Sequence, residues 1–349
     1  MSLKEKNPIK VLFYLSGDQN KASSRVRGFW IAEALEQINV QCTLRWKRSK
    51  LNLFRFALEI PRHDTVIFQK TYSRYHRWLM MLANAIGKLT YLDLDDAPSR
   101  TQSPRTLKNV ESMMHMADGV FVGNQNLFDY AKQHQPNVYL IPSGINLKHY
   151  HVSEKKDDNG AICLGWIGNG AHYKRDLIDI LAAPLRKLVE KYPLKFKLVG
   201  ASGVKELHEA FGAISGLEIE FVDSIEWSDP NAVSKAIGDF DIGLFPLLPN
   251  DFNKFKCGFK ALEYMATGIP VVASPIAINS EIVSHGEDGL LATSETDWIN
   301  ALSDLIESPQ LRKDMGRAGR LKIESSFSVV QIAERIRNIL DKERRFNEI

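Results

Sequence analysis

The stretch Asn253-Lys254-Phe255-Lys256-Cys257-Gly258-Phe259-Lys260-Ala261-Leu262-Glu263-Tyr264-Met265-Ala266-Thr267-Gly268-Ile269-Pro270-Val271-Val272-Ala273-Ser274-Pro275 decides how the chain is read. A lysine-studded loop enters a short helix whose apolar face is Phe259, Leu262 and Met265-Ala266. Gly268 can supply a left-handed C-cap, and Pro270 forbids the helix from continuing. Val271-Val272-Ala273 then reads as a short buried strand. One acid, Glu263, sits on a helix otherwise occupied with packing. Cations at a helix entrance and one carboxylate within the helix suit a ligand with phosphates at one end and hydroxyls at the other.

The same grammar of strand, ligand-facing turn and helix runs outward from this stretch in both directions. Ile9 to Leu15 is a continuous apolar run ending in Ser16-Gly17, which predicts a buried parallel strand. A loop from Asp18 carries Ser23, Ser24, Arg25 and Arg27 to a helix expected over residues 28–38. Gly17 and the two arginines therefore face a ligand or form a solvated turn, and the residues alone leave both readings open. Residues 40–46, 65–68 and 89–94 are further strands. The last ends at Asp95-Asp96, and the carboxyl ends of parallel strands are where open sheets place their ligands. A carboxylate there can accept a hydroxyl proton, hold an acceptor by hydrogen bonds, or cap the next segment.

The segment Ala117 to Asn124, with 125–133 and 138–146, repeats the pattern. The polar run 151–160 has the composition of a linker. Beyond it, 162–167 is a strand and Gly168 to Arg175 a glycine-rich turn. Helix 176–191 and strands 195–199, 217–222 and 239–244 follow. Alternation in both halves predicts an α/β protein of two Rossmann-like doubly wound domains facing across a cleft, 1–150 and 151–327. The final stretch, 328–349, reads as an amphipathic helix.

Bulk properties narrow the class. A 44% hydrophobic and 25% charged composition is that of a soluble globular protein. The start of the chain lacks the apolar core of a signal peptide, so a cytoplasmic protein is expected. A net charge of +3 is too small to argue for a nucleic-acid partner. Cys42, Cys163 and Cys257 are far apart and show no metal-ligand spacing. Residues 47–63 interleave cations with Leu51, Leu53, Phe54, Phe56 and Leu58. Such a stretch either packs on the core with a solvated basic end or lies peripherally on the inner, anionic face of a membrane.

The phrase from Leu262 to Ser274, followed by Glu281-Ile282-Val283 and His285-Gly286-Glu287-Asp288-Gly289-Leu290, resembles the donor-binding segment of glycosyltransferase family 4, retaining enzymes of the GT-B fold. The resemblance implies a retaining transferase that moves a sugar from a nucleotide-diphosphate donor to an acceptor hydroxyl, in polysaccharide, lipopolysaccharide or other glycan biosynthesis. It needs no bound metal and no cofactor beyond the donor substrate, and its acceptor is a glycan or lipid-linked molecule. Glu263 takes the ribose hydroxyls by this resemblance. The family places a second glutamate eight residues earlier, where this chain has Phe255 between Lys254 and Lys256. It also places an arginine where this chain has Gly168, and a lysine six residues on, which is Lys174. Lys174 and Lys256, with Lys254 and Lys260, are then the candidates for the diphosphate, and Gly168, Gly258 and Phe259 line the donor site. Asp95 and Asp96, with Lys174 and Lys256, are then the catalytic candidates, and Gly17 is counted with the donor contacts. The 1–150 half binds the acceptor, with Arg25 and Arg27 as its candidates, and the C-terminal helix packs back on it. Asp93-Leu94-Asp95 has metal-pair spacing but lies in the acceptor half, and reads as acceptor chemistry or structure. A non-catalytic sugar-binding relative and a nucleotide-sugar epimerase of the same architecture are the alternatives.

Overall fold

Continuous apolar runs make the strands, and burial on both faces makes their sheets parallel. The computed structural model describes residues 8–46, 50–95, 103–152, 160–201, 203–226, 229 and 231–347. Strands β1 (Ile9–Leu15), β2 (Val40–Trp46), β3 (Thr65–Gln69), β4 (Leu89–Leu94), β5 (Gly119–Val122) and β6 (Val138–Leu140) form one sheet in the order β2-β1-β3-β4-β5-β6. Strands β7 (Ile162–Ile167), β8 (Leu194–Val199), β9 (Leu217–Val222), β10 (Ile242–Phe245), β11 (Val271–Ala273) and β12 (Leu290–Leu291) form a second, in the order β12-β11-β10-β7-β8-β9. Every pairing of these strands is parallel. In the first sheet the strand order reverses between β1 and β3, and in the second between β7 and β10. Doubly wound sheets bind ligands outside the carboxyl ends of the strands at such points.

The chain forms two compact units: unit 1, running to Gly144 and resuming at Ser328, and unit 2, Ile145–Phe327. Most of the polar run expected to hold the boundary, 153–159, lies outside the described residues. The division falls ahead of it because residues 145–150 are tied into unit 2. The Ile145 N–H donates to the Phe327 carbonyl, the Tyr150 hydroxyl donates to Glu263 Oε1 at 2.9 Å, and Arg320 donates to the Tyr150 carbonyl. Helix Val329–Asn347 packs on helix Trp30–Gln37 of unit 1, and Tyr139 donates to its Glu343.

Two helices begin earlier than the sequence predicts. In unit 1 the helical backbone starts at Ala22, passes through a π-type turn over Arg25–Phe29 and continues as Trp30–Gln37. Gly28 marks not the start of the helix but its closest approach to β1, since a Cβ there would meet Leu15 Cδ2 at 2.5 Å. In unit 2 the helix runs Gly170–Leu188, with the Asn169 side chain accepting from the His172 N–H as its N-cap. Arg25, Arg27 and Lys174 are consequently helical residues rather than loop residues.

Helix Phe259–Ala266 is fixed to the second sheet at the reversal point itself. Gly258 (φ +65°) turns the chain into the helix, and Gly268 (φ +74°) turns it out. The Tyr264 ring lies against β10 because residue 243 is glycine, whose Cβ would otherwise meet the ring at 2.5 Å. Its hydroxyl accepts from the Ile167 N–H at the end of β7 (3.1 Å) and donates to the Leu244 carbonyl on β10 (3.3 Å). Tyr264→Phe leaves the buried Ile167 N–H without this acceptor and should destabilise unit 2 by about 1–3 kcal/mol. Denaturant unfolding of the variant beside wild type measures this, and equal midpoints would show that the bridge carries no weight.

Candidate functional site

At the unit 2 reversal point two lysines share one aromatic floor. Lys260 extends over Gly168, whose Cβ would stand 2.6 Å from Lys260 Cε. Gly168 is itself pressed against the next strand end, because a Cβ on Gly200 (φ +85°) would lie 1.9 Å from the Gly168 carbonyl oxygen. The Lys260 ammonium stands 3.8 Å from the Tyr173 ring centroid, 5.1 Å from Phe245 and 5.5 Å from Trp166. The Lys256 ammonium lies 3.9 Å from the Phe252 ring and 5.2 Å from Tyr173. Cation–π attraction of this kind holds a desolvated ammonium without neutralising it. Burial pulls Lys260 down from 10.5 to about 8, repulsion from Lys256 adds to the fall, and Glu263 opposes it.

The loop carrying Lys256 is held by a buried acid. Asp176 Oδ1 accepts from the Leu248 N–H at 2.7 Å and from Asn253 Nδ2 at 2.6 Å. Burial pushes this carboxyl above its ordinary value, and those hydrogen bonds and Lys256 pull against the rise. Glu263, buried and three residues after Lys260, occupies the same helix face and is oriented by Tyr150. Gly258 and Phe259 form the entrance of that helix.

The structure thus gathers Lys256, Lys260, Gly168, Gly258, Phe259 and Glu263. It gives Lys174 and Lys254 other partners. Lys174 extends to Glu206 on helix Lys205–Gly212, and Lys254 pairs with Asp251 at 3.0 Å on the surface. Tyr173, Asp176 and Tyr150 are not legible in the sequence as site residues. Tyr173 directly precedes Lys174 in the glycine-rich stretch, which is the one sequence signal it offers.

In unit 1 the carboxyl ends of β1, β3 and β4 converge. Ser16 donates to Gln69 Oε1 through both its N–H and its hydroxyl, and its hydroxyl meets that of Ser24. Asp95 is buried, with Lys70 Nζ 3.0 Å from its Oδ1. Gly17 lies under the Lys21 side chain, 2.8 Å from Lys21 Cδ to a Cβ built there. Asp96 lies outside the described residues. Arg25 is half-buried, with Nη1 donating to the Gln19 carbonyl and its guanidinium 6.0 Å from the Trp30 ring. Arg27, expected on the acceptor side, is instead buried against both Asp93 oxygens and the Ile141 carbonyl. It ties the first helix to β4 and to the chain leaving β6, and Asp93 is consumed with it. Among the described residues no group of three or more His, Cys, Asp or Glu side chains is placed to hold a metal ion.

Comparison with known proteins concerns the same part of the chain. Residues 161–308, which hold the lysine pair and Glu263, match the family described as "Glycosyl transferases group 1". The D-inositol 3-phosphate glycosyltransferase of Paenarthrobacter aurescens is 31% identical over 198 residues, covering 53% of this chain and 47% of the relative. The GDP-mannose-dependent monoacylated alpha-(1-6)-phosphatidylinositol monomannoside mannosyltransferase of Corynebacterium glutamicum is 34% identical over 222 residues, covering 60% of this chain and 58% of that one. The chain therefore spans about half the length of these curated relatives. The crystal structure of Anabaena Alr3699/HepE in complex with UDP superposes with a TM-score of 0.71 at 17% identity, over 96% of this chain and all of that one. That likeness shows the fold, two Rossmann-like domains of the GT-B type.

The Lys260 ammonium carries a stability consequence with a defined sign. Its folded value near 8 lies below the ordinary 10.5, so between those pH values the unfolded chain holds more protons. Stability from this group therefore rises with pH across that window, and its cost is fully present below it. Lys260→Met should abolish this rise, on the order of 2 kcal/mol, while keeping the packing over Gly168. Unfolding free energies of both proteins between neutral pH and pH 10 check it. Parallel curves would overturn the burial argument.

Proposed function

We propose that the protein is a retaining glycosyltransferase of glycan biosynthesis, taking a sugar from a nucleotide-diphosphate donor bound by unit 2 and passing it to a hydroxyl of a glycan or lipid-linked acceptor bound by unit 1. The observation that carries this reading is the Lys256–Lys260 pair over Tyr173 at the strand-order reversal, with Glu263 on the same helix face. Two ammonium groups held close together favour an anion between them. A diphosphate leaving group gains charge as the glycosidic bond breaks, so fixed cations stabilise the transition state more than the ground state. Glu263, with Oε1 set by Tyr150, receives the ribose hydroxyls. These groups supply the leaving-group charge stabilisation without a bound metal. Asp95, at the end of β4, holds the acceptor hydroxyl. The match of residues 161–308 to the transferase family and the UDP bound by a structural neighbour support the reading.

Thermal shift across a panel of nucleoside diphosphates and nucleotide sugars tests it, with wild type beside Glu263→Ala and Lys256→Ala. A ligand specific to the folded state must raise the melting temperature. One nucleotide should stabilise the wild type, about tenfold more weakly in either variant, and with no change on adding a chelator. Affinity should also decline as pH rises past about 8, because the diphosphate binds best to protonated Lys260. Silence to every nucleotide would sink the donor assignment in favour of a non-catalytic binding protein.

The acceptor side of this reading includes a membrane surface. In helix Lys50–Glu59, Phe56 is buried and its carbonyl accepts from the Tyr14 hydroxyl, whereas Phe54 is 77% and Leu58 64% exposed beside exposed Arg55. Arg62, just beyond the helix, is exposed as well. No helix among the described residues is long and apolar enough to cross a membrane. A peripheral contact of this basic, apolar-tipped helix should co-sediment the protein with vesicles containing phosphatidylglycerol but not with neutral phosphatidylcholine. The pair Phe54→Ser and Leu58→Ser should reduce binding at least about tenfold by removing the buried apolar area. Equal binding by the variant would exclude this helix.

A further inference from the structure

The unit 1 reversal point mirrors that of unit 2 in its place in the sheet, and it too carries two lysines. Lys70 follows β3 directly and adopts φ +48°, a left-handed conformation rare for a side chain of this size. Its N–H donates to the Asp93 carbonyl, which fixes that conformation to β4. Backbone strain of this kind persists only where surrounding structure imposes it, and it concentrates where ligands bind. Here it sets Lys70 across the crevice beside Asp95. Lys21 reaches back from the other wall, with Nζ 3.4 Å from the Ser16 carbonyl at the end of β1. Burial and the positive charge of Lys70 both lower Lys21, and Asp95 opposes them. Asp93, the other carboxylate of β4, is taken by Arg27. The crevice thus brings Lys21 and Lys70 within electrostatic reach of one another and of Asp95.

We propose that this crevice binds an anionic group, phosphate or carboxylate, with Lys21 and Lys70 as the residues that select for it. Under the function proposed above, the anion belongs to the acceptor. The anion would sit between the two ammonium groups, relieving their repulsion, while Asp95 keeps Lys70 oriented and remains available to an acceptor hydroxyl. A neutral sugar of the same shape would leave that repulsion in place and bind poorly.

Hydrogen–deuterium exchange resolved along the chain tests this with inorganic phosphate, glucuronate and neutral glucose as probes, each at matched ionic strength. At least one anion should protect residues 16–24 and 69–72, and glucose should not. Lys21→Ala with Lys70→Gly should weaken that protection at least about tenfold in apparent affinity. Glycine accepts φ +48°, but Lys70→Gly also takes the partner from buried Asp95; Lys21→Ala alone, which keeps that pair, should weaken the protection without lowering the melting temperature. Protection by phosphate but not glucuronate would specify a phosphorylated acceptor, and protection by both a site that selects negative charge of either kind. No protection by either anion, equal protection by glucose, or protection unchanged in the variant would overturn the proposal. The donor segment, residues 256–266, is read in the same experiment with nucleoside diphosphates. Protection there without protection in unit 1 would remove the anion site and leave the transferase reading intact. The reverse would keep the site and remove the reason to call its ligand an acceptor.

Discussion

The bridge made by the Tyr264 hydroxyl is the constraint on which the unit 2 site depends. One side chain joins the ends of β7 and β10, the two strands between which the sheet changes direction. Strands that splay at such a point leave a crevice, but nothing in the crevice itself fixes how a helix crosses it. Tyr264 does so by lying against Gly243 and meeting both strands at once. Since Phe259–Ala266 is a short, rigid helix, this one anchor also sets where Lys260 and Glu263 point. The charge placement is therefore a consequence of sheet topology and one hydroxyl, with the left-handed glycines at 258 and 268 letting so short a helix enter and leave.

Charge is handled differently in the interior and at the ligand-facing ends. Arg27, enclosed in the interior, is matched by Asp93, since an unmatched buried charge costs several kcal/mol. At the strand ends of unit 2 the cations are held by softer means, Lys256 and Lys260 resting on aromatic rings, whereas in unit 1 Lys70 pairs with Asp95 and Lys21 lies in the field of both. Rings lower the energy of an ammonium without lowering its charge, so the attraction for an incoming anion survives. Asp176 shows the same division of labour from the acid side. It spends its Oδ1 on the Leu248 and Asn253 donors, shaping the loop rather than neutralising the lysine that the loop carries.

Much of the fold can be read from the chain because buried parallel strands leave a strong trace. The runs Ile9–Leu15 and Ile162–Ile167 are nearly all apolar, and each is followed by residues that permit a turn. Helix starts are less legible. Gly28 and the Gly168-to-Arg175 stretch read as breaks in the sequence, yet Gly28 serves a close helix–strand approach and Gly170 begins a helix. A glycine's role depends on what lies across from it, which local sequence does not carry. The same limit explains Arg27. Its charge and position suggest a ligand contact, but its partner Asp93 is 66 residues away and only the fold brings them together. Tyr150 and Asp176 also act through partners far along the chain, so neither announces itself.

The missing arginine finds its explanation in the same geometry. The family resemblance places an arginine at position 168, where it would clamp the donor diphosphate, and the chain has glycine. A Cβ on residue 168 would stand 2.6 Å from Lys260 Cε, inside any tolerable contact, so a side chain there and Lys260 in its present place exclude one another. The glycine is thus not a gap in the site but the space that Lys260 fills. The cation comes from the helix instead of from the strand end, and it is held by Tyr173, Phe245 and Trp166. An ammonium lacks the planar fork of a guanidinium and grips phosphate as a point charge. Under the proposed function a second lysine at the same ring, Lys256, would add to the charge that one fork would have supplied. A side chain at 168 would therefore require the flexible end of Lys260 to leave its present place over the aromatic floor.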